Sequence, residues 1–146
     1  MEIVNRKARY DYEILDKYEA GIVLTGTEIK SIRNGSANLK DSYAIIKNNE
    51  AYLLNMFISE YKEGNIFNHN ETRTRKLLLH KNEIYKINDK ISIKGLTLVP
   101  LRLYFVRGKA KIELAVARGK HTYDKKETIK QRDIDREMKK SLKGNY

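Results

Sequence analysis

A pair of neighbouring segments with strict two-residue periodicity constrains the fold of this chain most. One predicted strand face consists of Thr97, Val99, Leu101, Leu103 and Phe105, and the opposite face of Leu96, Leu98, Pro100, Arg102 and Tyr104. Arg107-Gly108 then predicts a hairpin turn into a second strand over residues 109–117. Its inward-facing residues are Ile112, Leu114 and Val116. Pro100 has no amide hydrogen to donate, so we expect a bulge, a sheet edge or a change of strand partner there.

Two short helices interrupt the strand patterns. Thr25 to Glu28 has the spacing of a capping box, and it begins a helix that Gly35 ends. Ile29 and Ile32 share one face of this helix. A second helix is predicted over residues 80–90, where the apolar residues recur at helical spacing. These residues are Ile84, Ile87 and Ile91.

Weaker alternating patterns complete the body of the chain. They predict strands over residues 12–18, 22–24, 43–47 and 51–55. Asn48-Asn49 favours a hairpin between the last two. Many short strands, two small helices and no strand–helix–strand alternation predict a mainly β fold with short helices, in the form of a closed antiparallel OB-fold-like barrel. We assign residues 1–117 to this barrel and residues 55–72 to a long surface loop.

The remaining residues, 118–146, carry ten Lys or Arg and five Asp or Glu. Their only large aliphatic side chains are Ile129, Ile134, Met138 and Leu142. Such a segment buries too little apolar surface to offset the entropy of ordering, so we expect a tail that is disordered in the free protein. Written as a helix, it aligns a basic stripe of Arg132, Arg136, Lys139 and Lys143. Folding on a nucleic acid, docking of its thin apolar stripe on the barrel and plain disorder all stay open.

The charge balance indicates a polyanionic partner. Thirty Lys or Arg against nineteen Asp or Glu give a net charge of +11, and RNA or DNA is a commoner soluble partner of such chains than a membrane. No apolar run is long enough to span a bilayer or to serve as a signal peptide. The absence of cysteine fits a reducing cytoplasm, and three scattered histidines do not form a metal cluster. We therefore expect a cytoplasmic protein without metal or cofactor.

Residues 73–81 surround three leucines with basic side chains, which are Arg73, Arg75, Lys76, His80 and Lys81. This pattern predicts a phosphate-binding rim that the leucines attach to the barrel. The alternative interpretation is a solvated charged face beside a buried strand.

Residues 5–12 place cations between aromatic side chains. Arg6, Lys7 and Arg9 precede or flank Tyr10 and Tyr12. A tyrosine can stack on an unpaired base while an arginine holds the RNA backbone. Alternatively, the segment is a first strand whose tyrosines pack on the barrel; we expect this for Tyr12, and Tyr10 stays undecided.

The acid–base inventory argues against catalysis. Glu19, Glu28 and His80 are the candidates, and none pairs with a recognisable nucleophile or base. No phosphate-binding glycine loop or metal-ligand spacing occurs. We therefore predict a binding protein, with a small RNA nuclease and a generic barrel for tRNA or ribosomal RNA as the alternatives.

Several stretches of the chain, in order, match one known family. They are residues 5–9 (NRKAR), 18–24 (YEAGIVL), 26–33 (GTEIKSIR), 37–43 (ANLKDSY), 73–81 (RTRKLLLHK), 97–101 (TLVPL), 119–120 (GK) and 123–126 (YDKK). The chain thus resembles the bacterial small protein B family, the SsrA-binding proteins that partner transfer-messenger RNA in rescuing stalled ribosomes.

The resemblance implies an OB-fold-like barrel that grips the tRNA-like domain of that RNA as a monomer. Family residues tied to this binding match Asn5, Glu19 and Leu78, of which the last two are better read as shaping the RNA surface than as phosphate contacts. With the basic residues above, Tyr10 and the matching Lys30 and Arg33, they form the predicted RNA-binding set.

The resemblance also implies a function for the tail. The family tail becomes a helix in the empty mRNA channel of a stalled ribosome while alanyl-charged transfer-messenger RNA is delivered to the A site, alongside elongation factor Tu. The block near the decoding centre matches Asp124, Lys125 and Lys126, and the preceding glycine matches Gly119. The other predicted channel residues are Tyr123, Lys130, Arg132, Arg136 and Lys139.

The chain departs from the family pattern in three places. Lys126 stands where the family usually has arginine, which keeps the charge and loses the bidentate geometry. Tyr10 replaces a usual histidine, and Asn70-Glu71 replaces a common Asp-Pro, which we expect to loosen that loop only.

Overall fold

The structure is a computed structural model that describes residues 2–63 and 68–120. Its elements, in chain order, are β1 (Glu2–Val4), α1 (Arg6–Asp11), β2 (Tyr12–Ile22), α2 (Gly26–Arg33), β3 (Ala37–Asn38), β4 (Tyr43–Lys47), β5 (Glu50–Leu54), β6 (Phe57–Ile58), β7 (Arg75–Leu78), α3 (Lys81–Ile91), β8 (Leu96–Val106) and β9 (Lys109–Gly119).

Six strands close into an antiparallel ring in the order β8-β4-β5-β7-β2-β9, with β9 returning to β8. The pairing of Ala44 with Leu98 joins β4 to β8 and completes the ring. β1 extends the sheet beyond β8, and β3 pairs with β6 in a separate ladder. The predicted mainly β, closed antiparallel barrel with short helices is therefore confirmed. The strand predicted over residues 12–18 extends to Ile22 as β2, and of the strand predicted over residues 22–24 only Ile22 belongs to it.

Both predicted hairpins have the backbone that their turn residues favour. Arg107 and Gly108 have φ values of 51° and 78°, and Asn48 and Asn49 have 53° and 61°. Positive φ at both central positions matches the right-handed twist of the flanking strands. These turns fix the register of β8 with β9 and of β4 with β5.

Pro100 marks a bulge in β8, because the pairing with β9 shifts between Pro100 and Arg102. The extra residue reverses the alternation of side chains along the strand. Leu98 and Leu103 consequently belong to the same core cluster, and Val99 and Leu101 belong to another. The predicted single face that contained Val99, Leu101 and Leu103 is therefore wrong beyond the bulge.

The larger core cluster fills the barrel, and the smaller one lies between the barrel wall and α1. The smaller cluster consists of Ala8, Val99, Leu101, Ala115 and Ala117, with Tyr12 and Ile14 against it. The sequence patterns did not predict α1, because its six residues offer a single buried side chain, Ala8. Tyr12 packs on the barrel, as expected.

The two predicted helices are present. In α2, Thr25 and Glu28 form the capping box, and Gly35 follows the helix with a φ of +75°. In α3, Ile84 and Ile87 are buried against the barrel. Both helices therefore begin or end where short-range sequence signals placed them.

The barrel extends two residues past its predicted end. Arg118 and Gly119 belong to β9, and the Lys120 amide donates a 2.8 Å hydrogen bond to the Asp11 carbonyl. The assignment of Arg118 and Gly119 to the tail is thus corrected. The remaining tail predictions, from Tyr123 to Lys139, lie outside the described residues.

Candidate nucleic-acid interface

An open groove of about 680 Å³ lies between β2, α2, the end of β7, the start of α3 and the β8–β9 hairpin. Three predicted RNA-binding residues line it: Glu19, Leu78 and His80. Along β7 every second side chain is buried, so Leu77 points into the core and Leu78 points outward, with 53% of its surface exposed. An exposed leucine in an open groove is a surface on which the face of a base can pack.

Gly21 makes room for this leucine. Gly21 pairs with Leu78 in the β2–β7 ladder. A β-carbon at Gly21 would lie 3.3 Å from the Leu78 β-carbon, which is tighter than ordinary contact. The glycine therefore lets the Leu78 side chain lie across β2.

Charged side chains surround the apolar floor of the groove. Lys109 and Lys111 line it from β9, and Glu83 lines it from α3. Glu83 also accepts a 3.1 Å hydrogen bond from the His80 amide at the start of α3. Lys109 and Lys111 were missing from the predicted RNA-binding set, although the alternation of β9 already placed Lys111 opposite the core residues.

Glu19 is held from β8, two strands away. The Tyr104 hydroxyl donates a 2.5 Å hydrogen bond to Oε2 of Glu19. The Arg102 guanidinium lies over the Tyr104 ring, 4.1 Å from its centroid, and Arg102 also pairs with Glu2 and Glu113.

Helix α1 adjoins this network. Arg9 approaches Glu113 to 3.6 Å, and Glu113 is the register partner of Glu19. Tyr10 exposes 78% of its surface on the same helix, so its ring is available for stacking. Arg6 and Lys7 are also exposed, and Lys7 pairs with Asp41 at 2.9 Å. In this pair, the hydrogen bond and the charge raise the pKa of Lys7 and lower the pKa of Asp41.

Asn5 differs from the residues around it because its side chain is buried. Its Oδ1 caps α1 by accepting from the Ala8 amide, and its Nδ2 donates to the carbonyls of Leu39 and Pro100 at 3.2 and 2.9 Å. The amide group is thus occupied within the protein. Asn5 therefore anchors α1 to the barrel, and its place in the RNA-binding set stays a prediction.

Arg75 is also removed from the surface. It is wholly buried, and its Nε donates to Oε2 of Glu28 at 2.5 Å, while its other nitrogens donate to backbone carbonyls, including Met56 at 2.6 Å. Arg73 donates to the other Glu28 oxygen at 2.6 Å. Burial raises the pKa of Glu28, and the hydrogen bonds from Arg73, the Thr25 amide and Arg75 outweigh it, so this pKa lies below its ordinary value.

The predicted phosphate rim over residues 73–81 is therefore not one surface. Arg75 lies inside, Leu78 and His80 line the groove, and Lys76 pairs with Glu50 on β5 at 3.2 Å. Lys81 is exposed at the start of α3. The other two predicted cations lie over aromatic rings: Lys30 is 5.4 Å from the Tyr61 centroid, and Arg33 is 4.7 Å from that of Phe105.

Two further features bear on the class of site. Within residues 2–63 and 68–120, no three side chains of His, Cys, Asp or Glu are grouped to hold a metal ion. In the same part of the chain, no helix is long and apolar enough to cross a membrane.

Residues 2–144 match the family model described as "SmpB protein". This chain belongs to the SmpB protein family. The SmpB-family chain is 58% identical over 142 residues to the SsrA-binding protein of Lacticaseibacillus casei (strain BL23), with 97% of this chain and 90% of the relative covered. The SsrA-binding protein of Staphylococcus aureus (strain Newman) is 57% identical, with 97% and 92% covered.

A solved structure agrees with this assignment. A chain from the structure described as "tmRNA-SmpB: a journey to the center of the bacterial ribosome" is 50% identical to the SmpB-family chain. The TM-score is 0.71, and the match covers 85% of this chain and 87% of the other.

Proposed function

We propose that this SmpB-family chain is a non-enzymatic RNA-binding factor of trans-translation, whose barrel binds the tRNA-like domain of transfer-messenger RNA. The observation that carries this proposal is the groove, in which Glu19 on β2 lies between exposed Leu78 on β7 and the lysine-bearing strand β9. The relatives named SsrA-binding protein support the identity of the RNA.

The groove and α1 supply different interactions. Leu78 offers apolar surface to unpaired bases, and Tyr10 offers an aromatic ring, on which stacking contributes about 1–3 kcal/mol per base. Lys109, Lys111 and Arg6 offer positive charge to phosphates, which adds affinity without sequence information. Glu19 cannot contact phosphate favourably, so it recognises a hydrogen-bond donor of the RNA.

The second partner is the ribosome, where the chain acts in the cytoplasm together with elongation factor Tu. The residues after Lys120 report that the mRNA channel is empty, and Asp124, Lys125 and Lys126 act near the decoding centre. The solved neighbour, whose description names the bacterial ribosome, supports this partner.

The competing functional class is a nuclease, and the contacts of Glu28 argue against this function. Both of its oxygens accept hydrogen bonds from arginines inside the protein, so this carboxylate is not free to act as a base. Incubation of labelled RNA with the pure protein, with and without Mg²⁺, is expected to leave the RNA intact. Cleavage that Glu19→Gln abolishes would support the enzyme instead.

The barrel function is tested by competition between transfer-messenger RNA and ordinary tRNA at one salt concentration. We expect preference for transfer-messenger RNA, and a loss of about tenfold in affinity for Leu78→Ala because less apolar surface is buried when a base packs there. Ile93→Ala is the matched control, since Ile93 is 57% exposed and lies outside the groove lining. Equal affinity for both RNAs would favour a generic tRNA-binding barrel.

The two-part division of labour is tested by ending the chain after Lys120, which keeps β9 and the Lys120–Asp11 hydrogen bond. We expect this protein to bind transfer-messenger RNA about as well as the full chain and to fail in tagging nascent chains on stalled ribosomes. Loss of both activities together would contradict the division.

A further inference from the structure

Tyr104 lies on β8, and its hydroxyl reaches past β9 to the Glu19 carboxylate on β2. Burial, followed by this hydrogen bond, raises the pKa of Tyr104 to about 12. A phenol is protonated at neutral pH even at its ordinary pKa, so the Tyr104 hydroxyl donates its hydrogen to Oε2 of Glu19. One of the two carboxylate oxygens thus has a fixed donor within the protein.

The Tyr104 ring is itself fixed. Arg102 lies 4.1 Å from the ring centroid, a distance at which a guanidinium is attracted to the face of an aromatic ring. Arg102 in turn donates to Glu2 at 3.2 Å and to Glu113 at 3.4 Å. A side chain held from its face and from its hydroxyl loses little rotamer freedom when a ligand binds to its partner.

The second oxygen of Glu19 has no donor within hydrogen-bond distance in the part of the chain that the structure describes. An ionised carboxylate only accepts hydrogen bonds and repels phosphate. RNA offers two kinds of donor, which are the N–H groups of base edges and the ribose 2′-hydroxyl. A carboxylate in a lysine-lined groove is therefore suited to such a donor.

We propose that Tyr104 is a positioning residue for RNA recognition: it holds Oε2 of Glu19 so that Oε1 accepts a hydrogen bond from a base N–H or a ribose hydroxyl. The inference rests on the proposed function, in which Glu19 touches the RNA. It adds a residue that the sequence patterns did not select, because Tyr104 and Glu19 are far apart along the chain.

The experiment compares Tyr104→Phe, Glu19→Gln and the double variant in full-length protein, with transfer-messenger RNA as the probe. Tyr104→Phe keeps the ring beneath Arg102 and removes only the hydroxyl. We expect it to weaken binding about five- to tenfold, the effect of misplacing one charged hydrogen-bond acceptor. The double variant is expected to bind no more weakly than Glu19→Gln alone, because both changes disable one contact.

Tyr52→Phe is the matched control. Tyr52 donates a 2.7 Å hydrogen bond to Glu50 on β5, three strands around the ring from β9. It has the same chemistry away from the groove, and we expect unchanged RNA affinity. The slope of log affinity against log salt is expected to stay constant in Tyr104→Phe, since no phosphate contact is lost. A general loosening of the basic surface would lower that slope.

Synthetic tRNA-like domains that carry 2′-deoxy sugars at unpaired nucleotides distinguish a ribose hydroxyl donor from a base N–H donor. If Glu19 recognises a ribose hydroxyl, these deoxy RNAs should bind the natural chain more weakly than unmodified RNA does. Glu19→Gln should then bind the deoxy and the unmodified RNAs equally. If Glu19 recognises a base edge, Glu19→Gln should weaken the binding of the deoxy RNAs as much as it weakens the binding of unmodified RNA.

Two outcomes overturn the positioning role: Tyr104→Phe binding as tightly as Tyr52→Phe, or additive losses from Tyr104→Phe and Glu19→Gln. Either result leaves the proposed function in place as long as Glu19→Gln weakens binding and transfer-messenger RNA is preferred over tRNA. Loss of that preference in the natural chain would sink the proposed function itself.

Discussion

Two clusters of glutamate and arginine use the same chemistry in opposite surroundings. Inside the barrel wall, Glu28 is wholly buried with Arg75, and Arg73 closes the cluster from the edge. On the outside, Arg102 and Arg9 meet Glu113, and all three remain partly exposed. The inner cluster joins α2 to β7, and the outer cluster joins α1 to the strands beside the groove.

The two clusters differ in how many of their hydrogen-bonding groups remain available to a ligand. In the inner cluster every Glu28 oxygen is hydrogen-bonded, and both terminal nitrogens of Arg75 donate to backbone carbonyls. These groups have replaced their hydrogen bonds to water with hydrogen bonds inside the protein, and they stabilise the fold. The outer cluster keeps its solvent contact, so its members can still meet RNA. Residue type alone therefore does not separate a structural arginine from a binding one.

The largest expected effect separates the clusters directly. Arg75→Met leaves Glu28 buried without its one wholly buried arginine partner, and breaking a buried pair in this way costs about 3–5 kcal/mol. We expect a fall of this size in the free energy of unfolding, measured by urea denaturation. Lys76→Met on the same strand is the control, because its pair with Glu50 is exposed. Equal losses in both variants would erase the distinction.

The next effect concerns Asn5, which is buried like Arg75 but belongs to the outer region. Asn5→Ala removes the α1 cap and two hydrogen bonds to carbonyls, with an expected cost of about 2 kcal/mol. We also expect Asn5→Ala to bind RNA more weakly, since α1 loses its anchor. Tyr10→Ala is expected to weaken RNA binding with an unchanged melting temperature. A melting temperature of Asn5→Ala equal to that of the natural chain would make Asn5 a contact residue after all.

The inner cluster also has a pH signature. The pKa of Glu28 is lower in the folded chain than its ordinary value of 4.5. Folding therefore gains stability from the ionised carboxylate above pH 4.5, and loses it progressively as the pH falls through the folded pKa. Unfolding free energies measured across this range should show the difference between the natural chain and Glu28→Gln shrinking with acid. A constant difference would contradict the inner pairing.

The smallest effect is a change of salt dependence in the outer region. Arg9→Gln should lower the slope of log affinity against log salt by about 0.9 if Arg9 contacts one phosphate of a duplex. The unfolding free energy is expected to change little, because Arg9 is solvent-exposed. Lys47→Gln at the β4–β5 hairpin removes the same charge at a distance. An identical slope change in both variants would show that Arg9 contributes only general positive charge and no specific phosphate contact.

Short-range signals in the sequence were sufficient for the two hairpin turns and for the cap of α2. Asn48-Asn49 and Arg107-Gly108 adopt positive φ, and Thr25 with Glu28 caps α2, because these preferences act over two to four residues. The antiparallel barrel was predictable because many short strands leave few other ways to bury their apolar faces.

Only the tertiary structure decided which polar side chains are buried and which meet across strands. Arg75 and Lys76 are neighbours of the same charge, yet one is sealed inside and the other faces solvent. Asn5 is fixed by carbonyls of Leu39 and Pro100, and Glu19 by Tyr104. These partners are distant in sequence, so no local pattern reveals them. The sequence determined the strands, turns and charge of this protein; the closing of the ring decided which charges stabilise it and which remain available for RNA.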